Sequence, residues 1–207
     1  KKSTPFSMKK YKDLIDQTFE FPNEEFRVDN GDLNFHDIRL KDVIKEHGTP
    51  LRISYLPKIK ENIKRSTDWL KNAIAKHKYD GDYTYCYCTK SSHFSFVLDE
   101  IIKCKAQIET SSSYDIQIIK NLYQQGKIDK KTLIVCNGFK RPLYTQFIAE
   151  LINDGFENCT PILDNLNEMA LYKESIKVPY KVGIRIAADE EPNFEFYTSR
   201  LGIRYND

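Results

Sequence analysis

The sequence predicts an α/β fold: part of a (β/α)8 TIM barrel, preceded by an N-terminal extension. From Gly48 onward, short runs rich in Val, Ile and Tyr alternate with amphipathic helical patterns, which requires parallel strands joined by right-handed crossovers. No Gly-x-Gly-x-x-Gly follows an early strand, Gly81 and Gly138 stand alone, and no Gly-Lys-Ser/Thr phosphate loop occurs, so a doubly wound nucleotide-binding sheet lacks its signature. The 207 residues, less the extension, hold about six strands where a full barrel takes about 250 residues. The barrel is therefore expected to stop before closure.

Residues 1–45 are assigned to the extension. Lys1 to His36 is mostly polar with scattered aromatics (Phe6, Phe19, Phe21, Phe26, Phe35) and weak periodicity. The barrel portion, residues 46–207, is expected to place strands near Leu51–Tyr55, Tyr83–Thr89, Ala106–Thr110, Thr132–Asn137, Thr160–Leu163 and Lys181–Ala187. Pro57 opens the first helix, with Ile59, Ile63, Leu70 and Ile74 on one side. Ser92 is the expected cap of the second, which carries Phe94, Val97, Leu98, Ile101 and Ile102. The third runs from about Tyr114 to Gln125, where Gly126 stops it, and the fourth from Pro142 to Gly155.

Composition narrows the function. With 32 Lys and Arg against 30 Asp and Glu the net charge is only +2, which gives no field for nucleic acid or an anionic membrane. The basic stretch Lys58 to Lys78 is interrupted by Glu61 and Asp68, the pattern of a solvated helix face. Five cysteines, an odd number lying mostly in apolar patterns, suggest reduced thiols and a cytoplasmic setting. Cys86-x-Cys88 lacks a second ligand pair, so no metal is expected. No apolar run approaches about 18 residues and no signal-peptide pattern is present.

Reactive groups of a barrel come from the carboxyl ends of its strands. That rule selects Lys90, Glu109 with Ser111-Ser112-Ser113, Asn137-Gly138-Phe139-Lys140, Asp164 and Arg185. Alternation along Tyr83–Lys90 puts Cys86, Cys88 and Lys90 on one face and Tyr83, Tyr85 and Tyr87 on the other. If the tyrosines meet helices, Lys90 meets a cavity, where a poorly hydrated amine becomes a carbonyl-trapping nucleophile and small Cys88 leaves room for a flat cofactor. Asp115 either serves the substrate side or complements a helix amino terminus. No Ser-His-Asp order proposes a hydrolase.

Gly48-Thr49-Pro50-Leu51, Tyr87-x-x-Lys90, Glu109-Thr-Ser-Ser112, Gly183-Ile184-Arg185-Ile186-Ala187 and Ser199-Arg200-Leu201-Gly202 resemble, in order and spacing, the alanine racemase-like barrel of pyridoxal-phosphate-dependent basic amino acid decarboxylases. Cys136-Asn137-Gly138-Phe139-Lys140 is similar more narrowly to biosynthetic arginine decarboxylases. The resemblance implies pyridoxal 5'-phosphate carried covalently by Lys90, Arg185 near the cofactor ring, and Glu109 and Ser112 on the substrate side. Arg200 would sit at a subunit contact. It also implies decarboxylation of L-arginine to agmatine in polyamine biosynthesis, by a homodimer or higher homo-oligomer of a longer chain. The residues completing such a site, and a C-terminal β-domain, are expected after Asp207, so this piece alone is expected to be inactive. Ser91-Ser92 stands where relatives usually have Ala-Asn or a similar pair, and Leu201 where Phe is common. Alternatives are a diaminopimelate, lysine or ornithine decarboxylase or a racemase of the same fold, and a non-catalytic pyridoxal-phosphate-binding homeostasis protein.

Overall fold

The structure, a computed structural model, describes residues 25–187, 202 and 203. The chain divides into two compact units, Lys1–Ser54 and Tyr55–Asp207. The described part of the first unit is an antiparallel sheet of β1 (Phe26–Asp29), β2 (Asp32–Phe35) and β3 (Ile38–Arg39), followed by helix α1 (Leu40–His47). Its first turn is Asn30-Gly31, with φ of 50° and 81°. Two positive φ values give the backbone twist that matches a hairpin, and Asn-Gly tolerates both. Phe26 faces Phe35 across the strands, ring centroids 4.8 Å apart. Asp29 and Asp32 also face each other, and each takes a counter-ion: Arg27 for Asp29 at 2.8 Å, Arg39 for Asp32. Hydrogen bonding from Arg39 holds the Asp32 carboxyl below its ordinary range.

The second unit alternates helices and parallel strands: α2 (Pro57–His77), β4 (Cys86–Cys88), α3 (Ser95–Lys103), β5 (Gln107–Thr110), α4 (Ser113–Gln124), β6 (Ile134–Cys136), α5 (Pro142–Asn153), β7 (Cys159–Leu163), α6 (Asn167–Ser175) and β8 (Gly183–Ile184). The strands lie side by side in sequence order, and a parallel bridge from Ile186 to Ile203 continues the sheet beyond β8. Order without a reversal means no topological switch point, so every crossover carries its helix to the same face.

Burial confirms this. Ile108, Thr110, Ile134, Cys136, Cys159 and Leu163 are buried, whereas their strand neighbours Gln107, Glu109, Val135, Thr160 and Ile162 are only half-buried. The core lies between the first set and the helices, with Ile116, Ile119, Tyr144, Ile148, Leu151 and Tyr172 closing it. A doubly wound parallel sheet would be covered on both sides. Among the described residues one face is packed and the other lies open, the arrangement of a barrel wall. Ile116 has no exposed surface. Ile116→Ala is therefore expected to cost about 2–5 kcal/mol, read as a lower urea midpoint with unchanged slope.

Several expectations are corrected. Leu51–Tyr55 forms no strand: Leu51 and Ile53 are exposed, and an alternating segment becomes a strand only where it finds a ladder partner. The expected strand Tyr83–Thr89 contracts to β4, which among the described residues pairs only with β5. Ser92 does not cap α3. The helix begins at Ser95 with Phe94 at the N-cap position, and the Ser92 carbonyl accepts from the Tyr87 hydroxyl at 2.8 Å. On α2 the apolar side is covered only in part, since Ile63 is buried but Leu70 is exposed. α6, with its polar run Asn167-Glu168, is a helix that the periodicity did not announce. None of the helices among the described residues is long and apolar enough to cross a membrane.

Candidate active site

Of the tyrosine face predicted for Tyr83–Thr89, Tyr85 and Tyr87 pack against the cluster of Ile63, Val97, Ile101 and Ala106 between α2 and α3. Cys86 and Cys88 therefore lie on the open face, in register with Gln107 and Glu109 of β5. Burial, and next the charge of Glu109, push the Cys86 thiol up.

Lys90 follows in a turn and is exposed. The poorly hydrated cavity expected around it is not formed among the described residues, because the inward face of the sheet is uncovered. The backbone beneath the amine is firmly held. Thr89, fully buried, donates from both N–H and Oγ1 to the Glu109 carbonyl, at 3.0 and 3.1 Å. Ser91 likewise donates twice to the Cys88 carbonyl, from Oγ at 2.7 Å and from N–H at 3.2 Å. The Ser91-Ser92 pair thus has local work, with Ser91 closing the turn and Ser92 tying it to Tyr87. The amine itself takes no partner among the described residues, which leaves it available to a ligand.

At the end of β5, Glu109 accepts from the Asn137 side-chain amide at 3.1 Å. Asn137 is fixed on every side: its N–H donates to the Thr110 carbonyl at 2.9 Å, its Oδ1 accepts from Gly138 N–H at 2.9 Å, and its carbonyl accepts from the Tyr144 hydroxyl at 3.3 Å. Tyr144 also meets the Thr110 hydroxyl at 2.9 Å, so α5 braces the ends of two strands at once. Burial pushes the Tyr144 phenol far above its ordinary value, which keeps it a hydrogen-bonding hydroxyl. Ser112, expected on the substrate side, caps α4 instead. Its Oγ accepts from Asp115 N–H at 3.3 Å, while the Asp115 carboxylate accepts from Ser111 N–H at 2.8 Å. A capping pair of this kind satisfies backbone donors that the first helical turn leaves open, so Asp115 serves the helix amino terminus.

A buried network joins β6, β7 and α6. The Lys140 side chain has no exposed surface. Its Nζ donates to the Gly138 carbonyl at 2.6 Å and to the Ile162 carbonyl, and lies 3.3 Å from Glu168 Oε2. Three acceptors meet the three hydrogens of an ammonium group. Gly138 adopts φ +81°, a left-handed turn that lets the loop fold back under this amine. Glu168 in turn accepts from Asp164 N–H at 3.3 Å and from the Asn165 amide at 3.1 Å, and Asn165 Oδ1 accepts from Glu168 N–H at 3.3 Å. The role of Glu168 was not anticipated. Asn165-x-x-Glu168 ahead of a helix, a reciprocal capping pattern, is the signal that could have found it.

Arg185 is half-buried at the far end of the sheet, its Nη1 3.8 Å from Asp164 Oδ1. Its backbone is pinned between neighbours: N–H donates to the Leu163 carbonyl at 3.0 Å, and its carbonyl accepts from Ile203 N–H at 2.7 Å. Gly202, the last residue of the Ser-Arg-Leu-Gly run, has φ +106°, and a Cβ there would stand 2.9 Å from Ala187 N and 3.0 Å from Arg185 O. The glycine is what lets the two backbones approach. Ser199, Arg200 and Leu201 lie outside the described residues. No group of three or more His, Cys, Asp or Glu among the described residues is placed to hold a metal.

No protein-family model matches the chain. Over 170 residues, 74% of its length, it is 24% identical to the biosynthetic arginine decarboxylase of Vibrio vulnificus, and the match covers 26% of that protein. Over 103 residues it is 26% identical to the biosynthetic arginine decarboxylase of Parasynechococcus marenigrum, covering 15% of it. The chain thus spans about a quarter or less of the curated relatives it matches. Among solved structures, 87% of the chain superposes on the biosynthetic arginine decarboxylase of Campylobacter jejuni with a TM-score of 0.62, at 18% identity and over 31% of that chain. Another 18% identical structure, the diaminopimelate decarboxylase of M. jannaschii, covers 89% of the chain with a TM-score of 0.72 and is itself covered to 42%. The chain carries part of the alanine racemase-like α/β barrel fold that these decarboxylases share.

Proposed function

From that kinship we propose that the full-length protein is a pyridoxal-phosphate-dependent amino acid decarboxylase that converts L-arginine to agmatine and CO2. The observation that carries the reading is Lys90: an amine without a partner among the described residues, on a hydrogen-bonded turn at the carboxyl end of a parallel strand, in a chain whose sequence relatives are arginine decarboxylases. The chemistry of these residues supports a carbonyl cofactor. An exposed amine can bond an aldehyde, and the small side chains of Cys86 and Cys88 leave the open face beside it free for a flat ring.

Bound pyridoxal phosphate supplies the electron sink that stabilises the carbanion left when CO2 departs. Lys90 would hold the cofactor aldehyde through Nζ. Glu109, oriented by Asn137, presents a fixed carboxylate to the substrate side. Arg185, beyond β8, would stand near the cofactor ring, and Ser112 would act at a distance, by starting α4 where Ser111 and Asp115 can shape the β5 loop. A homodimer completes the proposal.

A second reading is another decarboxylase of the same fold, acting on diaminopimelate, lysine or ornithine, since the diaminopimelate enzyme shares the barrel. The test is to load the full-length protein with pyridoxal phosphate, record the absorbance band expected near ~420 nm, and supply each amino acid in turn. Agmatine and CO2 from arginine, with at least tenfold (~1.4 kcal/mol) preference over the others, is the expected result. Preference for another amino acid selects the second reading, and the absence of both band and product overturns decarboxylation.

A further inference from the structure

Asp164 is the most unusual polar group in the second unit. Only 2% of its side chain is exposed, yet neither carboxylate oxygen has a hydrogen-bond partner among the described residues. Its backbone N–H is tied to Glu168, and Glu168 to Lys140, so the residue has little freedom to turn toward solvent. A buried carboxylate without donors is costly, and among the described residues the one cation placed against it is Arg185, at 3.8 Å. Arg185 is differently situated. Its backbone is clamped between Leu163 and Ile203, but 40% of its side chain is exposed, so the fold fixes where the guanidinium starts and leaves open where it points. Alternating charges therefore run from the core to the open face: Lys140, Glu168, Asp164, Arg185.

We infer that Asp164 is a positioning residue, which aims the Arg185 guanidinium across the open face toward the cofactor. Buried Lys140 and Glu168 hold Asp164 in place. The inference rests on the proposed cofactor role of Arg185. The short Asp164 side chain has few rotamers, and burial leaves its attraction for Arg185 less screened than a surface pair would be. Asp164→Asn keeps the shape and removes the charge.

The experiment is a cycle of four full-length proteins: unmodified, Asp164→Asn, Arg185→Ala and the double variant. Two quantities are measured, pyridoxal phosphate affinity by absorbance titration and the urea midpoint. Loss of the Asp164 charge is expected to weaken cofactor binding about tenfold when Arg185 is present and to have no further effect when it is absent. Arg185→Ala is expected to lower the urea midpoint in the unmodified background, by stranding a buried carboxylate, and not in Asp164→Asn. Equal weakening of cofactor binding in both backgrounds overturns the inference, since a merely structural Asp164 would act additively. If the unmodified protein binds no cofactor, the cofactor reading fails and the orienting role with it; coupling in the urea series then identifies Asp164 and Arg185 as a stabilising pair only.

Discussion

Replacing Lys140 with methionine is expected to destabilise the second unit by about 3–5 kcal/mol, a large share of the ~5–15 kcal/mol that holds a domain together. Methionine fills nearly the same volume, so the cost is electrostatic. It strands the Glu168 carboxylate, 3% exposed, and removes the donor that the Gly138 and Ile162 carbonyls share. Glutamine at 168 should cost less, since its amide oxygen can still accept from Asp164 N–H and only the charge is lost. The two changes should combine non-additively, by about 0.5–3 kcal/mol, because each removes the other's partner. Urea unfolding of the single and double variants checks this. An additive pair, or a Lys140→Met protein as stable as the parent, would show that the ion pair contributes nothing.

Lys90→Ala should abolish the cofactor band and reduce decarboxylation by the full-length protein about a thousandfold or more, with little change in stability. The stability clause follows from the exposed amine, which makes no contact within the described residues whose loss would be felt. Lys90→Arg should be equally inactive, since a guanidinium keeps the charge but does not bond an aldehyde at neutral pH. Absorbance, product formation and urea midpoint measured on both variants separate loss of chemistry from loss of fold. A Lys90→Ala protein that retains band and turnover would move the reactive amine elsewhere.

The barrel wall was legible in the sequence because its strands and helices obey distinct periods. The apolar spacing of Ile116 and Ile119, or of Ile148 and Ile152, marks a helix buried on one side, and the glycines after α4 and α5 mark where those helices stop. What could not be read was which pleat-facing positions are covered. Alternation separated Cys86 and Cys88 from the tyrosine face, but Lys90 lies past the strand in an exposed turn, and whether its surroundings are dry depends on the opposite wall and not on the strand itself. Leu51–Tyr55 failed for a related reason, as β propensity is a preference that only pairing makes real. The Asn30-Gly31 hairpin was overlooked although its signal is local, because the polar composition around it masked the short alternation of β1 and β2. Among site residues, the order of Lys90, Glu109, Asn137, Asp164 and Arg185 at strand ends could be read from the chain, but the network of Lys140 and Glu168 joins groups separated by the whole of α5 and β7, which no spacing rule encodes.

The most direct test of a lysine-borne cofactor is reduction of the pyridoxal-phosphate-loaded full-length protein with borohydride, followed by proteolysis and mass spectrometry. The account predicts a reduced pyridoxyl-phosphate adduct on the peptide containing Lys90, absent from Lys90→Ala. An adduct confined to other lysines, or none on any peptide, would contradict it.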